Sequence, residues 1–218
     1  VKELASPWID FNLYLITDRE QALGRNLEFV VEEALRGGVR AVQLREKDLS
    51  SKELYERAYD LRKLTSRYGA KLIINDRVDV ALAVEADGVH VGAQSIPIYK
   101  VRRLLGESRL IGVSCHNQVQ AITAQDMGAD FITFGPVYHT PSKAAYGDPV
   151  GVEKLGQVCE LLEIPVFALG GVKAGNCGEV IDRGARGVAM ISAVISAPDP
   201  REAARTLLSA LPPGELGD

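Results

Sequence analysis

The stretch Phe131-Ile132-Thr133-Phe134-Gly135-Pro136-Val137-Tyr138-His139-Thr140-Pro141-Ser142-Lys143 decides how this chain reads. Phe131 to Phe134 is a short apolar run, and Gly135-Pro136 ends it, so the run reads as a buried strand. The tail has a different chemistry. Thr140 and Ser142 carry hydroxyls that donate hydrogen bonds to phosphate oxygens, and Lys143 supplies a charge. An ordinary polar loop has the same composition. What separates the two readings is that other strands of the chain also end in polar, reactive residues.

Upstream, Leu13 to Ile16 is an apolar run that ends in Thr17-Asp18-Arg19. Asn26 caps a helix through Arg36, and Gly37-Gly38 closes it. Ala41 to Arg45 is a second strand, followed by a helix from Ser50 or Ser51 to Tyr68. Lys71 to Ile74 and Gly88 to Val91 are the third and fourth strands, with a short helix through Glu85 between them. Pro97 opens a helix to Leu105. Leu110 to Val113 is the fifth strand, and Asn117 caps a helix to Met127. Beyond the central stretch come a helix from about Gly151 to Leu162, a strand from Pro165 to Leu169 and a helix through Asp182. A strand from Val188 to Ile191 and a last helix over roughly Pro200 to Leu211 complete the series. Strands that are apolar throughout suit a parallel sheet covered by helices. The expected fold is α/β, a single (β/α)8 TIM barrel domain over residues 1–218, with the barrel itself at about 12–211 and short tails. The rival is a doubly wound open sheet, and no GxGxxG follows the first strand to support it.

The 218 residues suffice for one such barrel, and 46% apolar content supplies a core. A net charge of −4 leaves no electrostatic footprint for nucleic acid. No apolar run approaches the roughly 18 residues of a membrane span. Val1 to Asp10 shows no basic segment followed by an apolar one, so no signal peptide is expected. Cys115, Cys159 and Cys177 are far apart and form no metal spacing. They read as small buried hydrophobes in a reducing cytoplasm.

A (β/α)8 barrel carries its active site at the C-terminal ends of its strands. The strand ends here are Thr17, Asp18, Gln43, Arg45, Lys47, Asn75, Asp76, His90, Ser114, His116, Thr140, Ser142, Lys143, Gly170, Gly171 and Ser192. Gly170-Gly171 after the seventh strand and Ser192-Ala193 after the eighth form a second candidate phosphate site, since loops at these places often hold an anion with backbone N–H groups and a helix N-terminus. Glycine also ends strands for steric reasons alone. Gln43, Arg45 and Lys47 alternate, which turns all three towards the mouth; a buried salt bridge is the other reading of Arg45. His116, just past the fifth strand, is the candidate proton carrier, because a histidine titrates near neutral pH. His90 lies within its strand and reads as an inward core residue, and His139 as a solvated loop histidine. Asp76 suits Mg²⁺ beside a pyrophosphate and equally suits a helix cap.

Several stretches resemble one family. They are Leu15-Ile16-Thr17-Asp18, Val42-Gln43-Leu44-Arg45-Glu46-Lys47, Ile74-Asn75-Asp76-Arg77-Val78-Asp79, Asp87-Gly88-Val89-His90-Val91-Gly92, Ile111-Gly112-Val113-Ser114, Phe134-Gly135-Pro136-Val137 and Leu169-Gly170-Gly171-Val172. In this order and spacing they are similar to the thiamine-phosphate synthase and TenI family, (β/α)8 barrels of thiamin biosynthesis. The resemblance implies two alternative activities. A synthase joins a hydroxymethylpyrimidine diphosphate to a thiazole phosphate and releases pyrophosphate with Mg²⁺. A TenI-type tautomerase aromatises a thiazole carboxylate phosphate by moving a proton, without a cofactor.

By the same resemblance Gln43, Arg45, Lys47, Asn75, Thr140, Ser142 and Lys143 match pyrimidine and pyrophosphate ligands. Asp76 matches one Mg²⁺ ligand, and Gly171 and Ser192 match the thiazole-phosphate site. Ser114, Gly170 and Ala193 complete the expected substrate contacts. One departure stands out: Ser95 occupies the position of the synthase's second metal-binding aspartate. The loop through Ala144-Ala145-Tyr146-Gly147 is also closer to TenI proteins, and His116 matches the TenI proton carrier. The expectation is therefore a thiazole tautomerase with His116 as base and acid and with Lys143 or Arg45 on the carboxylate. The synthase is the alternative, with Mg²⁺ at Asp76. A non-catalytic regulator or binding protein that keeps only the phosphate site is a third reading. The expected partner is a phosphorylated thiazole, in the cytoplasm, with a homo-oligomer left open.

Overall fold

The computed structural model describes residues 9–140 and 148–212. Eight parallel strands close into a barrel in sequence order: β1 (Leu13–Ile16), β2 (Ala41–Leu44), β3 (Lys71–Asn75), β4 (Gly88–Val91), β5 (Leu110–Cys115), β6 (Phe131–Phe134), β7 (Val166–Leu169) and β8 (Gly187–Met190). β8 pairs with β1, Tyr14 beside Ala189, which leaves no sheet edge. The helices around them are α1 (Leu27–Arg36), α2 (Ser51–Arg67), α3 (Val78–Ala83), α4 (Ile98–Leu105), α5 (Gln118–Asp126), α6 (Gly151–Leu161), α7 (Cys177–Asp182), α8 (Ser192–Ile195) and α9 (Pro200–Ser209).

The expected (β/α)8 barrel is the observed fold, with two additions. A 3₁₀ turn at Arg19–Ala22 follows β1, and the four-residue α8 follows β8. Both are too short to show a periodic pattern. Boundaries move by a residue or two: β5 runs on to Cys115, β3 includes Asn75, and β2 stops at Leu44. The expected caps are in place. Asn26 accepts from Phe29 N–H (2.9 Å), Asn117 from Gln120 N–H (2.9 Å), and Ser50 forms a reciprocal capping box with Glu53.

Strand alternation divides the core in two. Leu13, Leu15, Val42, Leu44, Leu72, Ile74, Val89 and Val91 face outwards, into the layer between sheet and helices. Phe11, Tyr14, Ile16, Ala41, Ile73, Leu110, Phe131, Phe167 and Ala189 fill the barrel interior. Phe11 stacks on Phe167 with ring centroids 5.1 Å apart, and Tyr14 meets Phe131 edge-on at 5.4 Å. The barrel is a packed core rather than a pore. Among the described residues no helix is long and apolar enough to cross a membrane.

Candidate active site

Above the aromatic layer the barrel interior turns polar. Gln43 Nε2 donates to the Tyr14 hydroxyl (2.9 Å), which lies 3.4 Å from His90 Nδ1. His90 Nε2 is 3.0 Å from Ser114 Oγ and 3.4 Å from Thr133 Oγ1. Gln43, Tyr14, His90 and Thr133 are buried, whereas Ser114 is partly exposed. Burial, reinforced by Arg45 and opposed by Asp76, holds the His90 pKa down to about 3, so the imidazole is neutral. Burial also raises the Tyr14 phenol far above its ordinary range. His90 is thus the inward residue its strand position implied. Gln43 is a wall residue of this network rather than an open side chain at the rim.

The exits of β1 and β2 are clamped together. Glu46 is buried and accepts from Thr17 Oγ1 (2.8 Å), the Arg19 N–H (3.2 Å) and Arg19 Nη1 (3.1 Å). Thr17 Oγ1 in turn accepts from the Arg45 N–H (3.0 Å). Arg19 also pairs with Asp48, whose carboxyl is lowered to about 2 by that hydrogen bond. Thr17 is consumed by this clamp, and Asp18 caps the 3₁₀ turn by accepting from Glu20 N–H (3.2 Å), so neither is a free mouth ligand. Arg45 is not in a buried salt bridge. Among the described residues neither Arg45 nor Lys47 has a side-chain hydrogen bond or ion pair, and Lys47 is exposed. Two cations therefore flank an anchored Glu46, neither of them paired among the described residues.

At the exits of β3 and β4, Asn75 Nδ2 donates to Asp76 Oδ2 (2.8 Å). The Ser95 hydroxyl donates to Asp76 Oδ1 and accepts from the Gly92 N–H (2.8 Å). Asp76 does not cap α3; that position is Arg77, which makes no side-chain cap bond. The carboxylate is exposed and held by two neutral donors. Among the described residues no cluster of three or more His, Cys, Asp or Glu could hold a metal ion unaided.

At the neighbouring exits of β5 and β6, His116 is exposed, and its Nδ1 lies 2.6 Å from the Gly135 carbonyl. A carbonyl only accepts, so Nδ1 carries a proton and Nε2 is the nitrogen left for another partner. Gly170 and Gly171 both have positive φ, +94° and +68°. A Cβ at Gly171 would stand 2.6 Å from the Tyr138 Cβ, and one at Gly170 2.6 Å from the Pro136 Cβ. The close approach these glycines permit is therefore to the loop after β6. Tyr138 N–H donates to the Gly170 carbonyl (3.0 Å) and zips the two loops together. Ser192 is exposed at the first position of α8 with Ala193 beside it. Arg25 donates to the Ile195 (2.7 Å) and Ala197 (2.8 Å) carbonyls and so fixes the far end of that helix. Thr140 is partly buried, and Ser142 and Lys143 lie outside the described residues.

Sequence reasoning missed Tyr14, Thr133, Arg19 and Glu46. Tyr14 and Thr133 sit in runs that read as simply apolar. Their signal is parity, because each lies an even number of residues from an interior position of its strand. A (β/α)8 barrel with cations, a carboxylate and hydroxyls at its C-terminal mouth is the class whose loops bind and process small molecules.

A family model described as thiamine monophosphate synthase matches residues 13–194, and the chain belongs to that family. A Geobacter sulfurreducens protein named "Putative thiamine-phosphate synthase" is 62% identical over 94% of this chain and 96% of its own. The thiamine-phosphate synthase of Roseiflexus sp. is 47% identical over 89% of this chain and 83% of its own. Among solved structures, a thiamine phosphate pyrophosphorylase from Pyrococcus furiosus superposes with a TM-score of 0.85 at 38% identity, covering 92% of this chain and 95% of that one. None of these relatives is named as the tautomerase expected from Ser95, His116 and the loop.

Proposed function

We propose that the chain is a thiamine-phosphate synthase, joining a hydroxymethylpyrimidine diphosphate to a thiazole phosphate with release of pyrophosphate. The observation that carries the reading is that Arg45 and Lys47, unpaired among the described residues, share one mouth with an exposed, oriented Asp76. A proton shift needs no such set, whereas departure of a diphosphate does. One carbon–nitrogen bond forms as the carbon–oxygen bond to the diphosphate breaks, and the leaving oxygens take the electron pair. Arg45 and Lys47 stabilise that growing charge, and by resemblance Ser142 and Lys143 match further ligands of the diphosphate. Glu46 keeps the two cations in register by tying the β2 exit to Thr17 and Arg19. The loops after β7 and β8 anchor the thiazole phosphate, with Ser192 and Ala193 supplying N–H groups at the start of α8. That anchoring positions the ring for attack.

The family implies Mg²⁺, and the residues fit a minimal site. Mg²⁺ is commonly held by one or two carboxylates together with substrate phosphates. Asp76 would be the protein's ligand, and the bound ion would neutralise diphosphate charge.

A second reading, the tautomerase, is favoured by Ser95 and by the exposed His116, whose Nδ1 alone is engaged by the Gly135 carbonyl. One experiment decides. The protein is incubated with both phosphorylated substrates and Mg²⁺, and separately with the thiazole carboxylate phosphate, and products are followed by chromatography. Thiamine phosphate formation is expected. Its absence alongside rapid aromatisation would overturn the proposal.

A further inference from the structure

Four side chains form a continuous path across the barrel interior, from Gln43 on β2 through Tyr14 and His90 to Ser114 on β5. Its links are 2.9, 3.4 and 3.0 Å. The path has a direction. The Tyr14 oxygen takes the Gln43 N–H, and among the described residues His90 Nδ1 is the acceptor within reach of the buried Tyr14 proton, so the phenol donates and Nδ1 accepts. A neutral imidazole that accepts at Nδ1 carries its proton on Nε2. Nε2 therefore donates to Ser114 Oγ, and the Ser114 proton is left for whatever occupies the mouth. The neutral state has a structural basis: His90 is buried, and its side-chain partners among the described residues are all hydroxyls. Its ring is also held by packing. A Cβ on Gly112 would stand 2.5 Å from His90 Nδ1 and 2.4 Å from the Phe131 ring, so glycine is what leaves the imidazole its place.

We propose that His90 is a positioning residue: oriented by Tyr14, it fixes Ser114 as a hydrogen-bond donor towards an acceptor atom of the bound aromatic ring, such as a pyrimidine nitrogen. His90 touches no substrate in this arrangement and acts through Ser114. A donor set by the protein selects a ring that presents a lone pair there and rejects one that presents an N–H, because two donors facing each other leave both unpaired. This inference rests on the synthase reading, since it takes the pyrimidine diphosphate as the ring beside Ser114.

The test is a double-mutant cycle on steady-state rates, with each substrate varied in turn. His90→Leu is expected to raise KM for the pyrimidine diphosphate by about three- to tenfold, the worth of one hydrogen bond, with the thiazole-phosphate KM unchanged. His90→Gln keeps an N–H donor and should restore most of the loss. In a Ser114→Ala background His90→Leu should add nothing further. Equal effects of His90→Leu in both backgrounds, or parallel shifts in both KM values, would overturn the inference. If His90→Leu fails to fold, Tyr14→Phe breaks the path one link earlier and must show the same dependence on Ser114. A wild type that forms no thiamine phosphate defeats the synthase reading and this inference with it. A wild type that turns over while His90 and Ser114 act independently defeats the inference alone.

Discussion

The Ser95 hydroxyl donates its only proton to Asp76 while its oxygen accepts from the Gly92 N–H. A carboxylate at this position would face Asp76 as a like charge; serine faces it as a donor and orients it. The arrangement suits a single-carboxylate Mg²⁺ site completed by substrate oxygens. Outer groups that orient a metal ligand typically contribute about 10- to 100-fold in metal affinity or activity. Ser95→Ala should therefore raise the Mg²⁺ concentration for half-maximal rate by about tenfold or more. Ser95→Asp, which adds a second charged oxygen ligand, should lower it. A Mg²⁺ titration of the initial rate reads both, and an unmoved midpoint in Ser95→Ala would show that the contact has no part in metal binding.

His116 separates the two branch activities. Its Nδ1 is engaged by the Gly135 carbonyl, so only Nε2 could exchange a proton with a ligand. If the protein is a synthase, His116→Asn should change thiamine-phosphate kcat by less than about tenfold, well short of the roughly 10²–10⁴-fold contribution of a general acid–base group. Loss of aromatising activity by the larger factor, in a protein that makes no thiamine phosphate, would restore the tautomerase assignment.

The barrel was legible because the strands are short, mainly apolar runs and four of them are entered through turns that carry glycine or a small residue, as at Gly38-Val39 and Gly184-Ala185. The mouth was legible in part, since strand ends define it once the strands are known. What the residues alone did not reveal is which polar groups are already spoken for. Thr17 and Asp18 look as available as Arg45 and Lys47 in the sequence, yet Glu46 and the 3₁₀ turn consume the first two. That distinction depends on Arg19 folding back onto Glu46 and Asp48, a contact between loops. Gly171 is similar, because its crowding against Tyr138 comes from a loop packing that no local pattern encodes.

That crowding changes how the phosphate site is best probed. At φ +68° with Tyr138 Cβ 2.6 Å from an added Cβ, Gly171→Ala should destabilise the fold by at least about 1–2 kcal/mol, the cost of the left-handed conformation alone. Urea unfolding reads this directly. Any loss of binding in a Gly171 variant is therefore ambiguous. Ser192→Asp is the cleaner variant. An acidic residue in the first turn of a helix favours the helix, so the fold is retained, while its charge opposes a phosphate there. Thiazole-phosphate Kd by calorimetry should rise on the order of tenfold or more by like-charge repulsion. An unchanged Kd would move the phosphate away from α8.

The pH dependence of stability tests the buried imidazole. Burial first, then Arg45, holds the His90 pKa down to about 3, with Asp76 opposing, whereas in the unfolded chain a histidine titrates at about 6.5. Between these values the unfolded chain binds a proton that the native protein does not, so stability rises with pH in that window. The contribution is fully present above about pH 6.5 and is lost as pH falls towards about 3, at a limiting slope of roughly 1.4 kcal/mol per pH unit. From about pH 7 to about pH 5 the wild type should therefore lose roughly 2 kcal/mol more than His90→Gln, whose side chain does not titrate. Carboxylates such as Asp48 contribute to both proteins and cancel in the difference. Urea unfolding at the two pH values supplies the comparison. Parallel losses in the two proteins would mean that His90 charges in the native state, and that the directed path from Tyr14 to Ser114 does not exist as drawn.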